Sequence, residues 1–267
     1  MKQIIFFFLF FLHILMLGYS QDFFKIPNTQ IRFWAKPVLM NNLKFDHYRT
    51  QILKSKPTIS FEAGIGVKQR IWDNLSIIVD AGYNIIPYQF QFVFNANIEH
   101  IEGDLHEHKT TEFYQGLYVI PVSLQFETLK NKKLNYFAEL GAKINIINWF
   151  PFRGRDGMSY YLGDLIPPDN NGNQDLNVFE MIMENETQRV FISYFAKIGL
   201  LFKTKKTHTF NLSLVANYCP KPVYTGDYKF ENVPFESYGD VSLGLNYIGL
   251  EFVYGLSVWK VDFLPRK

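Results

Sequence analysis

The stretch TISFEAGIGVKQRIW, residues 58–72, decides the fold. Ile59, Phe61, Ala63, Ile65, Val67 and Ile71 alternate with Thr58, Ser60, Glu62, Gly64, Gly66, Lys68 and Arg70, with Gln69 as the single break. Successive side chains of a strand point to opposite faces, so the segment reads as a strand with one apolar and one polar, charged face. After the turn signal Asp73-Asn74, Leu75, Ile77, Val79, Ala81 and Tyr83 resume the pattern against Ser76, Ile78, Asp80, Gly82 and Asn84. The two strands form a tight hairpin. Their apolar faces coincide only if paired residue numbers sum to an even value, which predicts Ile71 opposite Leu75 across a three-residue loop and sets Asp80 diagonal to Lys68.

The same unit recurs along the chain. Tyr118, Ile120, Val122, Leu124 and Phe126 lead through Lys130-Asn131-Lys132-Lys133 to Tyr136, Ala138, Leu140, Ala142, Ile144 and Ile146. Ile192, Tyr194, Ala196, Ile198, Leu200 and Phe202 lead through Lys203 to Thr207 into Phe210, Leu212, Leu214, Ala216 and Tyr218. A last strand carries Ile248, Leu250, Phe252, Tyr254, Leu256 and Val258 on one side, and Gln30 to Leu39, broken at Pro37, supplies a weaker eighth. Pro121 cannot donate a ladder hydrogen bond, so a bulge or strand end is expected there. Short turns near 73, 131 and 205 separate longer connections at about 44–56, 95–112, 151–186 and 220–238. The expectation is all-β: an eight-stranded antiparallel up-and-down transmembrane β-barrel with extracellular long loops, periplasmic short turns and periplasmic termini.

Alternation alone also suits a soluble sandwich with one wet face. Two features favour lipid. Tyr118 and Phe126, Tyr194 and Phe202, and Phe210 and Tyr218 are each eight positions apart. That spacing covers roughly 20 Å of membrane normal for tilted strands, near the height of an apolar band flanked by aromatic girdles. The polar face carries Glu62, Lys68, Arg70, Asp80, Glu139, Lys143, Lys197 and Glu251, charges of both signs that must pair inside a lumen too narrow for open water. Inward glycines (Gly64, Gly66, Gly82, Gly141, Gly199, Gly249, Gly255) leave room for these long neighbours or mark bulges. Residues 1–20 read as a secretory signal, with Lys2, an apolar run from Ile4 to Leu17, and cleavage near Ser20 before a single domain spanning 21–267. The destination is the outer membrane of a Gram-negative cell. Cys219 is alone, so neither a disulfide framework nor a thiolate metal site is available. A net charge of +2 with scattered Lys and Arg excludes a nucleic-acid footprint.

The segment YVIPVSLQF, residues 118–126, followed by YFAELG at 136–141 and closed by IGLEFVY at 248–254, resembles the PorT-like outer-membrane β-barrel family of the Bacteroidota. The resemblance implies an eight-stranded outer-membrane barrel; some members of that family assist secretion through the type IX system. The chain departs from that pattern in the long segment after Phe150 and in the tail Leu264 to Lys267.

Chemistry-bearing motifs are weak. No His pairs with Ser on one strand face near a rim: His208 adjoins a turn, and His47, His100, His106 and His108 fall in loops. Glu102, Asp104, His106 and His108 could gather round a metal, and Asp169 to Asp175 resembles a calcium loop, but Gly172 and the missing later Glu do not fit an EF-hand. A solvated loop explains both, so no catalytic, cofactor or metal residue is assigned. The expected partners are outer-membrane lipid and lipopolysaccharide, with a protein partner at the extracellular loops or periplasmic turns. The expected role is non-enzymatic: binding, envelope structure or secretion support. A narrow diffusion channel and a lipid-modifying enzyme are the alternatives.

Overall fold

A computed structural model describes residues 29–40, 43–48, 53–72, 74–92, 108–128, 134–149, 155–161, 177–184, 189–203, 208–230 and 237–259. Among them run β1 (Thr29–Met40), β2 (Leu43–His47), β3 (Leu53–Lys56), β4 (Thr58–Arg70), β5 (Leu75–Phe92), β6 (His108–Glu127) and β7 (Leu134–Trp149). They are followed by β8 (Arg155–Tyr161), β9 (Asn177–Glu184), β10 (Val190–Lys203), β11 (His208–Tyr218), β12 (Tyr224–Phe230), β13 (Tyr238–Leu243) and β14 (Tyr247–Trp259).

Eight of these close a ring. β1, β4, β5, β6, β7, β10, β11 and β14 pair antiparallel in sequence order, and β14 pairs back onto β1. The fold is therefore an all-β, eight-stranded, closed antiparallel up-and-down barrel. The register of the first hairpin follows the parity argument: Arg70 faces Ser76, and the Ile71 N–H donates to the Leu75 carbonyl at 2.9 Å. Pro37 does not end β1, which continues to Met40; the β1–β14 ladder merely skips Lys36 and Pro37. Pro121 neither ends β6 nor bulges it. The strand runs on with Pro121 opposite Lys143, and the missing N–H falls on the β5 side, where bridging steps from Val79–Val122 to Gly82–Val119. The register shifts of β6 lie elsewhere, at Gly116/Leu117 against β7 and opposite Gln91/Phe92 of β5.

The barrel is inverted relative to a soluble protein. Ile59 is 73% exposed, Leu140 68% and Ile248 61%, whereas Glu62, Glu139 and Lys143 on the opposite parity are buried. Inside, Trp34 of β1 lies across Gly64 and Gly82, which face each other in the β4–β5 ladder. A Cβ on either glycine would stand 2.5 Å from the Trp34 ring, so the indole fits only because neither residue has a side chain.

The long connections do not stay irregular. β2, β13, β12, β9 and β8 pair antiparallel into a second sheet of five strands, drawn from the segments after β1, β7 and β11. All three connections leave the same end of the ring. The buried face of this sheet (Leu43, Phe179, Met181, Tyr224, Tyr228, Phe230, Val241 and Leu243) packs onto inward residues at that end of the barrel, among them Val38, Met40, Ile86, Tyr88, Phe90, Leu117, Val119 and Ile147, to form one core. Each such side chain contributes about 1.5–3 kcal/mol on burial. The sheet is thus a lid fixed by the same kind of core that holds a soluble domain. Residues 1–20, read from the sequence as a signal with cleavage near Ser20, and the tail after Trp259 lie outside the described residues.

Gly82→Ala should destabilise the barrel by about 1–3 kcal/mol through overpacking against Trp34. In urea unfolding of vesicle-embedded protein, combining it with Trp34→Ala should cost less than the sum of the two single changes; strict additivity would remove the claimed contact.

Candidate functional site

The lumen is layered. Nearest the short turns, Lys68 and Glu127 are in contact, with Arg70 at 3.6 Å and Lys203 at 4.0 Å from the same carboxylate. Above them lies a balanced set of four cations and four anions. Arg32 stands 3.4 Å from Asp80, 3.9 Å from Glu139 and 3.7 Å from Glu251. Lys197 binds Glu139 at 2.8 Å and Glu251 at 3.0 Å, and Lys36 links Glu251 at 3.6 Å to Glu62 at 3.0 Å. Lys143 completes the chain, donating to Glu62 at 2.9 Å and to the Tyr247 hydroxyl at 2.8 Å.

All eight charges singled out from the sequence point inward, and the structure joins Asp80, Glu139, Lys197, Glu251, Glu62 and Lys143 into one network through Arg32 and Lys36. Lys68 and Arg70 belong to the separate Glu127 cluster. Asp80 is indeed diagonal to Lys68, but it pairs with Arg32 while Lys68 pairs with Glu127. A strand two places round the ring, not the hairpin partner, supplies each counter-charge: β1 for Asp80 of β5 and β6 for Lys68 of β4. Arg32, Lys36, Glu127, Lys203 and Tyr247 were missed by the sequence reading. Arg32 and Lys36 share the parity of Trp34 against Ile31, Phe33 and Ala35, a signal obscured by Pro37.

An amide and hydroxyl layer covers the ions. Asn145 Nδ2 donates to Ser193 Oγ at 3.0 Å, Ser193 to Asn217 at 3.1 Å, and Asn217 Nδ2 to the Leu245 carbonyl at 2.7 Å. In the lid core, the Tyr88 hydroxyl donates to Gln115 at 3.0 Å and Gln115 donates to the Tyr224 hydroxyl at 3.3 Å, tying β5 and β6 to β12.

The aromatic residues form cross-strand pairs on the outer wall. Tyr194 faces Tyr218, Phe202 faces Phe210, Tyr118 faces Tyr83 with ring centroids 5.3 Å apart, and Phe126 faces Leu75. The eight-residue spacing reflects two levels of such pairs.

The outward face of the lid holds an arrangement that strand periodicity did not reveal. Asp46, Asp240 and Asp227 lie directly opposite one another across β2, β13 and β12, along a groove of about 470 Å³. The Tyr48 hydroxyl donates to Asp240, and the Tyr48 and Tyr238 rings lie tilted at 43° with centroids 5.5 Å apart. Like charges in cross-strand register oppose sheet formation, so the hydrophobic core beneath must outweigh them. Among the described residues no group of three or more His, Cys, Asp or Glu is placed to hold a metal ion. Glu102, Asp104, His106 and the segment Asp169 to Asp175 lie outside the described residues, as does the side chain of His108. His47, on the buried face, bonds to the Tyr228 hydroxyl. Burial holds its imidazole below the ordinary value of 6.5, against the opposing pull of the Leu53 backbone and the Asp46 charge.

No family model and no curated protein matches the chain. Among solved structures it is similar to the outer membrane protein OprG from Pseudomonas aeruginosa, at 12% identity and a TM-score of 0.44, covering 87% of this chain and 98% of that one. It is also similar to Neisserial surface protein A, at 12% identity and a TM-score of 0.38, with coverages of 85% and 98%. A major outer membrane protein from Thermus thermophilus matches at 8% identity and a TM-score of 0.41, with coverages of 85% and 98%.

Glu62→Ala removes the carboxylate paired with Lys143 and the nearer of the two that hold Lys36, and should cost about 3–5 kcal/mol in urea unfolding. Lys229→Ala, which breaks the half-exposed 3.0 Å pair with Glu180 on the lid, should cost at most about 1 kcal/mol. Similar losses at the two sites would contradict a buried ionic lumen. A folded His47 value below the unfolded one means that its contribution to lid stability is present above pH 6.5 and fades as pH falls through and below it. Protection of β12 amides, corrected for the intrinsic base-catalysed exchange rate, should therefore fall between about pH 7 and about pH 5, and His47→Gln should flatten that response.

Proposed function

We propose that this chain is an integral outer-membrane β-barrel of non-enzymatic function. It would anchor a folded five-stranded lid at the cell surface as a recognition platform. The observation that carries the reading is the coincidence of an apolar outer wall on all eight barrel strands with a mouth sealed by the chain's own connections. A closed ring leaves no strand edge unpaired, the condition for placing β-structure in hydrocarbon. The contiguous apolar wall is far larger than the scattered apolar residues of a soluble surface.

Export by residues 1–20, short turns facing the periplasm and the lid facing outward complete the reading. The lid's groove, its three aspartates and the exposed Tyr48 and Tyr238 offer polar and aromatic contacts to lipopolysaccharide or a protein partner. Secretion support of the PorT-like kind remains compatible with such a platform. Among the described residues, the ion network below and the apolar core above fill the lumen, which favours a platform over a channel.

Purified wild-type protein in planar bilayers should give no stable conductance steps. Reproducible single-channel openings would overturn the closed-platform reading in favour of a pore.

A further inference from the structure

We propose that the end of the lumen nearest the short turns binds one small oxyanion of phosphate chemistry, held by Arg70, Ser76 and Gln125 in the positive field of Lys68 and Lys203. The site lies at the opposite end of the barrel from the lid and stands whether or not the lid recognises a partner. Its frame is one inward-facing row across three strands: Arg70 of β4 faces Ser76 of β5, and Ser76 faces Gln125 of β6. Directly opposed residues place their Cβ atoms about 5 Å apart, so the three side chains meet over one patch of the inner wall. Gln125 and Glu127 are successive inward positions on β6, which sets the row beside the Glu127 carboxylate.

Two observations point to a ligand. Ser76 is 1% exposed and Gln125 fully buried, yet the Ser76 hydroxyl and both ends of the Gln125 amide make no hydrogen bond to a described residue. Buried polar groups are almost always satisfied, so an unsatisfied hydroxyl and amide side by side call for a partner from outside the chain. The second observation is charge. Among the described residues at this end, the one negative charge of Glu127 is shared among Lys68, Arg70 and Lys203, and Arg70 stands 3.6 Å from it, beyond hydrogen-bond length. The guanidinium fork is thus held by charge with N–H donors left to give, and such a cation draws in an anion. Water satisfies a hydroxyl and an amide but does not offset positive charge. An oxyanion does both, accepting from the guanidinium, the amide Nε2 and the Ser76 hydroxyl through different oxygens. Side-chain exposure rises from 5% at Glu127 to 22% at Arg70 and 38% at Lys203, so the cluster opens towards the short-turn end, from which the anion enters.

The test is thermal unfolding of the full protein in an uncharged detergent, so its outcome does not depend on the membrane or platform reading. At matched ionic strength, sodium phosphate should raise the unfolding midpoint above its value in sodium chloride, and the rise should saturate. Arg70→Gln and Gln125→Leu should each move the half-saturating phosphate concentration up by about tenfold. Glu127→Gln, which removes the acid competing for the same cations, should move it down, a change of sign that a purely structural role of Glu127 does not give. Ser76→Ala supplies the same reading as Gln125→Leu should that variant fail to fold. Equal midpoints in phosphate and chloride overturn the site and assign the row to water. An undiminished phosphate response in Arg70→Gln and in the row variants overturns the assignment to these residues.

Discussion

An eight-stranded ring has an interior only as wide as the side chains that fill it, and this chain fills the middle of that interior with charge. Four cations and four anions sit within one connected network, almost entirely out of contact with solvent. Taking so many ions from water costs several kcal/mol each unless every partner is present. The consequence is coupling. Glu251 holds Lys36, Lys197 and Arg32, Glu139 holds Lys197 and Arg32, and Glu62 holds Lys36 and Lys143, so loss of any one of these three carboxylates takes a partner from more than one cation.

The lid follows from the same geometry. Towards the end of the ring bearing the long connections, the inward positions change from ions to amides and then to Val38, Ile86, Tyr88, Leu117 and Ile147, which no water-filled mouth would tolerate. The five-stranded sheet covers them. Because its strands come from three separate connections, its core ties together parts of the ring that are distant in sequence, as when β2 pairs with β13 through Phe45 and Val241. The aspartate row on its outer face is affordable only on such a support.

Parity in residues 58–71 and 75–84 made the barrel legible, down to the register of the first hairpin, because one face there is apolar but for Gln69 and the other is polar but for Ile78. The lid was illegible for the opposite reason. At Ile85, Ile86, Pro87 and Tyr88, and again at Leu117, Tyr118, Val119 and Ile120, both faces are apolar, one towards the outer wall and one towards the lid core, so the alternation vanishes where the strand continues. The lid strands β2, β12 and β13 are short, and β2 finds its partner almost two hundred residues away, which no local pattern records. Arg32 and Lys36 were hidden by Pro37, although the proline removes only a ladder bond and leaves the parity of its neighbours intact.

The role of those two residues becomes plain at the seam. Seven of the ring's eight strand pairings join barrel strands that follow one another along the chain, whereas β1 and β14 must meet from opposite ends of the barrel sequence. Loop closure over that separation costs the most chain entropy of any pairing in the ring. At this seam Arg32 and Lys36 of β1 reach Glu251 of β14 at 3.7 Å and 3.6 Å, and both also hold acids on strands farther round the ring: Asp80 and Glu139 for Arg32, Glu62 for Lys36. A closure in which β14 slipped by one residue would turn Glu251 towards lipid and take an anion from Arg32, Lys36 and Lys197 at once. The ion network therefore does more than fill the lumen: it makes the correct closing register the one in which the charges balance, so the residues least visible in the sequence select how the barrel shuts.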